Sequence, residues 1–203
     1  MIRLSSQSGE IFHAATHTPR LEAAFDQLAG PGRWIAQDGL GGTTPVRFPV
    51  EGDPGDDGWH IDGSFDRDGS YWINVRSKVR ALLMLFLFSD VGPDDAPTRI
   101  RVGSHLDVPA ALAPAGEKGM DFPAVNARLP NVHERELGYA TGDAGDVFLC
   151  HPFVVHAADR HRGSTPRFMA QPGLFWAREI DLAGPADSSS PVELAIRIGL
   201  GLA

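Results

Sequence analysis

The sequence is short of cysteine, of positive charge and of long apolar runs. A single cysteine, Cys150, stands among 203 residues, so no disulfide within the chain can staple the fold. Lys and Arg number 18 against 26 Asp and Glu, giving a formal charge of -8. Nucleic-acid binding draws most of its affinity from cations that neutralise phosphates, so a polyanionic partner is not expected. The longest apolar run, Ala81 to Phe88, is far below the roughly 18–20 residues of a membrane-spanning helix. No apolar stretch follows a basic start as in a secretory signal. These absences predict a cytoplasmic protein without membrane contact.

What is present suits one domain covering residues 1–203, because 42% hydrophobic residues can fill a single sizeable core. Glycine (23) and proline (16) are frequent, as expected where many short strands meet in tight turns. Thr18 and Pro19 predict a helix start, with Leu21, Ala24, Phe25 and Leu28 on one face and Gly30, Pro31 and Gly32 as the stop. Residue alternation then predicts strands over Thr43–Val50 and Trp59–Ser64, separated by an acidic turn from Gly52 to Gly58. Further strands are expected at Val79–Ser89, Thr98–Val102, Gly145–Leu149, Phe153–Ala157 and Arg167–Phe175. Asp107 with Pro109 predicts a capped short helix, and Ser190, Pro191 and Glu193 predict a closing helix over Val192–Leu200. Seven or more short strands without crossover helices point to a mainly β, antiparallel jelly roll with flanking helices.

His60 and Asp62 stand at i and i+2, so in a strand both side chains leave one face and can converge on one ion. With 8 histidines and 26 acidic residues among 203, about one His-x-acid tripeptide arises by chance. The chain has two, the second being His105-Leu106-Asp107, where Asp107 is expected to serve as a cap. A third ligand from a distant strand would complete the two-histidine, one-carboxylate set of non-haem Fe(II) oxygenases. His151 and His156 both offer it, and spacing leaves that choice open.

The ordered set of Trp59-His60-Ile61-Asp62, Gly103-Ser104-His105, Gly145-Asp146, His151-Pro152 through His156, and Arg167 resembles the phytanoyl-CoA dioxygenase family of 2-oxoglutarate oxygenases, from about Thr43 to Phe175. The resemblance implies a double-stranded β-helix with a core over about residues 43–176. It makes His60, Asp62 and His156 the iron ligands. Arg167, eleven residues beyond His156, is implied to bind the distal carboxylate of 2-oxoglutarate, a task that suits a planar, always-charged guanidinium. Fe(II), 2-oxoglutarate and O2 are the implied cofactors, and hydroxylation of a C–H bond with release of succinate and CO2 the implied reaction. Halogenases of this kind have a small residue in place of the carboxylate, so Asp62 favours hydroxylation.

Two departures qualify the match. Where the family continues Gly-Ser with a downstream Asn, this chain reads Ala157-Ala158-Asp159, which removes a hydroxyl contact to the co-substrate; Arg47 is the candidate replacement. The N-terminus is short for the family, so an entry helix or lid is expected to be trimmed. Phe65, Trp72, Arg76, Arg101 and Trp176 are candidate substrate contacts, and the low basic content favours a small metabolite over a CoA ester. Two other readings use the same residues: a zinc hydrolase at the His/Asp/His site, and a non-catalytic metabolite-binding β-sandwich with structural histidines.

Overall fold

A computed structural model describes residues 1–52, 55–129 and 133–203. Its axis is the strand Arg80–Leu87, in which every residue after Arg80 is buried. Leu82, Met84 and Phe86 join a core cluster with Phe25, Leu174 and Ile196, while Leu85 and Leu87 join a second one with Val91, Ala140 and Met169. Burial on both faces explains the unbroken apolar run at Ala81–Phe88.

Seven strands form the larger sheet, in the order Ile2–Leu4, Thr44–Arg47, Arg167–Ala170, Arg80–Leu87, Gly173–Trp176 and Trp34–Ile35, with Val147–Cys150 on the other edge of Arg80–Leu87. A smaller sheet, Leu137–Ala140, Thr98–Arg101 and His156–Ala157, faces it across the second cluster. Every pairing is antiparallel. The result is the expected jelly roll, or double-stranded β-helix.

Helices cover the outer face of the larger sheet. In Pro19–Ala29, the Thr18 hydroxyl accepts from Leu21 N at 3.2 Å and Phe25 and Ala29 are buried. The closing helix spans Pro191–Gly199 and carries the predicted capping box. Glu193, besides closing that box, receives both Nη atoms of Arg33, which ties the helix to the strand Trp34–Ile35. A further helix, Glu10–Thr16, begins at Gly9 with no side-chain cap, so nothing in the sequence announced it.

Several expected elements are altered. The segment 59–64 is not a regular strand: it makes one bridge, His60 to His156, and then Ile61 N donates to the side chain of Asn126 at 2.9 Å. An amide side chain takes the place of the next ladder partner. Phe153–Val155 are buried, but Val154 N turns back to His151 O and Val155 N donates to the Ser104 hydroxyl, so the regular strand shortens to His156–Ala157. The expected Arg167–Phe175 is two strands, because Pro172 has no N–H to give the ladder and the neighbour changes from Thr44–Arg47 to Trp34–Ile35 at that point. Asp107 precedes the helix Val108–Leu112 without capping it; its carboxylate accepts from Arg135 instead, at 2.6 and 3.0 Å. Of the acidic turn, Asp53 and Pro54 lie outside the described residues. Among the described residues no helix is long and apolar enough to cross a membrane.

Candidate metal centre

His60 and His156 face each other across an antiparallel pair whose two backbone hydrogen bonds, His60 N to His156 O and the reverse, are both 2.9 Å. Residues so paired carry their side chains on one face, and the rings stand 4.5 Å apart between centroids. Asp62, two residues on, returns to that face. Its Oδ1 lies 3.8 Å from Nε2 of each histidine. Among the described residues this is the one group of three or more potential ligands whose donor atoms gather within 4.8 Å.

The backbone decides which ring nitrogens face inward. His60 Nδ1 donates to Gly58 O at 2.8 Å, and His156 Nδ1 to Val154 O at 3.1 Å. Each proton is thus held on Nδ1, so the Nε2 lone pairs point at the carboxylate, the tautomer a metal-binding imidazole needs. Burial lowers the pKa of His156 and the cationic form of His60 lowers it further, against the opposing pull of Asp62. Burial alone would raise the pKa of Asp62, but His156, Arg80 and His60 together bring it below the ordinary carboxylate value. The shifts favour a neutral His156 and an ionised Asp62, and both Nε2 atoms face the carboxylate.

The three residues line a cleft of about 120 Å³ that also takes in Arg47, Thr98, Arg167 and Gln171. Arg47 and Arg167 are partners in the register of their strands, so two guanidiniums share one face, and both are almost fully buried. Arg47 is neutralised by Asp56, at 3.1 and 2.5 Å. Among the described residues Arg167 bonds the carbonyl of Ala96, and its Nε has no partner there. Burial and the charge of Arg47, partly offset by Asp56, lower its pKa to about 10, which leaves it a cation at physiological pH. A buried positive charge with no carboxylate partner among the described residues faces the same small cleft as the triad.

A family model described as phytanoyl-CoA dioxygenase matches residues 11–169. The chain belongs to the phytanoyl-CoA dioxygenase family. Comparison with curated proteins gives no match. Among solved structures, the chain is similar to SnoK, a non-haem alpha-ketoglutarate-dependent carbocyclase from nogalamycin biosynthesis, with 16% identity, 92% of this chain and 73% of that one covered, and a TM-score of 0.55. SnoN, an epimerase of the same kind and the same biosynthesis, gives 19% identity, 86% and 66% coverage, and 0.54. HygX from Streptomyces hygroscopicus, solved with nickel and 2-oxoglutarate bound, gives 16%, 85% and 71%, and 0.50. The chain thus spans about two thirds to three quarters of the length of these three proteins. At such identities the likeness establishes the fold.

Phytanoyl-CoA dioxygenases work with Fe(II), 2-oxoglutarate and O2. The five residues expected to serve metal and co-substrate, His60, Asp62, His156, Arg167 and Arg47, all reach the one cleft. The expected substrate contacts do not. Arg101 stacks on Trp59 at 4.4 Å and bonds the carbonyl of Arg135, Trp72 packs under Arg67, Arg76 pairs with Glu117, and neither Phe65 nor Trp176 lines the cleft. Sequence reasoning missed Thr98, Gln171, Asp56 and Arg80. The first two had a signal, since Thr98 and Ile100 alternate with outward Arg99 and Arg101, and Gln171 follows Arg167 and Met169 at intervals of two. Asp56 was one acid among several in a turn, and Arg80 gave no signal at all.

Proposed function

We propose that this chain is an oxygenase that uses Fe(II), 2-oxoglutarate and O2 to hydroxylate a C–H bond of a small organic substrate. In this reading His60, Asp62 and His156 hold the metal, and Arg167 holds the distal carboxylate of 2-oxoglutarate. The observation that carries it is the meeting, in one cleft, of a three-donor set with a buried guanidinium that has no carboxylate partner among the described residues.

Bound Fe(II) supplies the activation of O2 that is coupled to decarboxylation of 2-oxoglutarate to succinate and CO2. The protein does the rest. The Nε2 atoms of His60 and His156 and an ionised Asp62 present two nitrogen donors and one oxygen, while the Nδ1 hydrogen bonds keep the rings from turning. Arg167 gives the co-substrate a charge-assisted, bidentate anchor, and Thr98 and Gln171 supply hydroxyl and amide groups where the family's serine is missing. At about 10–15 Å³ per water-sized group, a cleft of about 120 Å³ accommodates a molecule the size of 2-oxoglutarate. The oxidised substrate is then met at the mouth.

A zinc hydrolase would need a free general base beside the metal. Among the described residues the carboxylates lining the cleft are Asp62 and Asp56, and Asp56 is committed to Arg47. A pure binding module leaves the converging lone pairs without a purpose.

The test is succinate formation from 2-oxoglutarate by the metal-free protein reconstituted with Fe(II), with and without O2. Succinate is expected only with both present. Turnover of a hydrolysable substrate by zinc-loaded protein without O2, or no bound 2-oxoglutarate at any Fe(II) concentration, would sink the reading.

A further inference from the structure

Arg80 belongs to no motif, yet its guanidinium bonds a member of the triad: Nη1 donates to Asp62 Oδ2 at 3.2 Å. An irregularity in the sheet builds this contact. In the ladder between Arg80–Leu87 and Gly173–Trp176, Leu174 faces Leu82 and Phe175 faces Arg80, so Ala81 is skipped. Strict alternation from Leu83, Leu85 and Leu87 would aim Ala81 into the interior; the extra residue turns Arg80 there instead. Gly173 leaves room for the arginine stem. A Cβ at that position would lie 3.3 Å from Arg80 Nε and 3.1 Å from Phe175 Cε1. The Arg80 side chain is 16% exposed and its Nε has no partner.

We propose that Arg80 is a positioning residue for the anionic ligand of the metal: it grips Asp62 Oδ2 and so presents Oδ1 to the point shared by the two imidazoles. The proposal rests on the assignment of His60, Asp62 and His156 as the metal ligands. A carboxylate free to rotate offers a cation either oxygen or both, whereas one oxygen held by a charge-assisted bond leaves the other in a fixed direction. If the Asp62 carboxylate is removed, the guanidinium stays, and it holds a small anion in the carboxylate's place.

Co(II) titration of the full chain, followed by visible absorption, tests this without turnover. Arg80→Met is expected to weaken Co(II) binding about 10- to 100-fold and to alter the spectrum, and Arg80→Lys to recover part of both. Gly173→Ala should weaken binding in the same direction by crowding the arginine stem. In Asp62→Ala, added formate should restore Co(II) binding, and in Asp62→Ala/Arg80→Met it should not. Wild-type affinity and spectrum in Arg80→Met, or equal formate rescue with and without Arg80, overturns the proposal. A wild-type protein that binds Co(II) no better than its His60→Ala and His156→Ala variants overturns the metal assignment itself, and the proposal with it.

Discussion

The chain contains two clusters of almost the same composition. One joins His60 and Asp62 to His156; the other joins His105 and Asp107 to the neighbourhood of His151, whose ring stacks on His105 at 4.9 Å. The second spends its polar atoms on the fold. His151 donates from Nε2 to Val192 O at 3.1 Å and accepts at Nδ1 from Phe153 N at 3.1 Å, and Asp107 gives both oxygens to Arg135. In the first cluster the backbone takes one nitrogen of each ring and leaves the other free. Residue type and spacing are shared by the two; among the described residues, ligand atoms of three such residues gather within 4.8 Å in the first alone.

Breaking each cluster in turn checks that contrast. Asp62→Ala should reduce succinate formation to background, while Asp107→Asn should leave it within about threefold, as expected of a site remote from the chemistry. Comparable losses from both would erase the distinction. If Arg167 anchors 2-oxoglutarate as proposed, replacing it by Met removes a charge-assisted bond of about 1.5–3 kcal/mol. The Kd for 2-oxoglutarate should rise about 10- to 150-fold, with less damage from Arg167→Lys, and an unchanged Kd would take Arg167 out of the site.

The second cluster should speak through stability. Burial, with a smaller push from His105, lowers the pKa of His151 to about 3 against an opposing hydrogen bond to Val192. An unfolded histidine takes up a proton near pH 6.5, whereas the folded one resists. Stability from this group is therefore complete above about pH 6.5 and declines as pH falls toward 3, by at most about 1.4 kcal/mol per pH unit. Urea midpoints should fall less steeply with acid in His151→Gln than in wild type; parallel curves would show that the ring is not the group responsible. The smallest effect expected is from Ser190→Ala, which uncaps the helix bearing Val192. A loss of about 1 kcal/mol, or roughly 2–4 °C in Tm, should leave Co(II) affinity untouched.

Much of this was legible because it depends on local rules. The Thr18 and Ser190 caps, the strand buried on both faces and the i, i+2 spacing of His60 and Asp62 follow from dihedral preference and pleat. The choice of His156 over His151 did not, because it turns on which ring nitrogens the backbone consumes. Arg80 was invisible for a related reason: its direction depends on skipping Ala81 in the ladder, a matter of pairing with Phe175 on a strand far along the chain. The expected substrate contacts were chosen by residue type and lie outside the small cleft, with Arg101 and Trp72 each in a cation-on-ring contact.

The pairing of Arg47 with Arg167 has a thermodynamic consequence. Two like charges opposite each other in a sheet work against folding, and among the described residues Asp56 alone pairs with either of them. The protein without a ligand thus carries an electrostatic debt that an anion in the cleft relieves, so folding and occupancy are linked. Any ligand that binds the native chain alone adds RT ln(1 + [L]/Kd), about 2.7 kcal/mol at a hundredfold excess over Kd. The thermal stability of this protein should therefore track the supply of keto-acid around it.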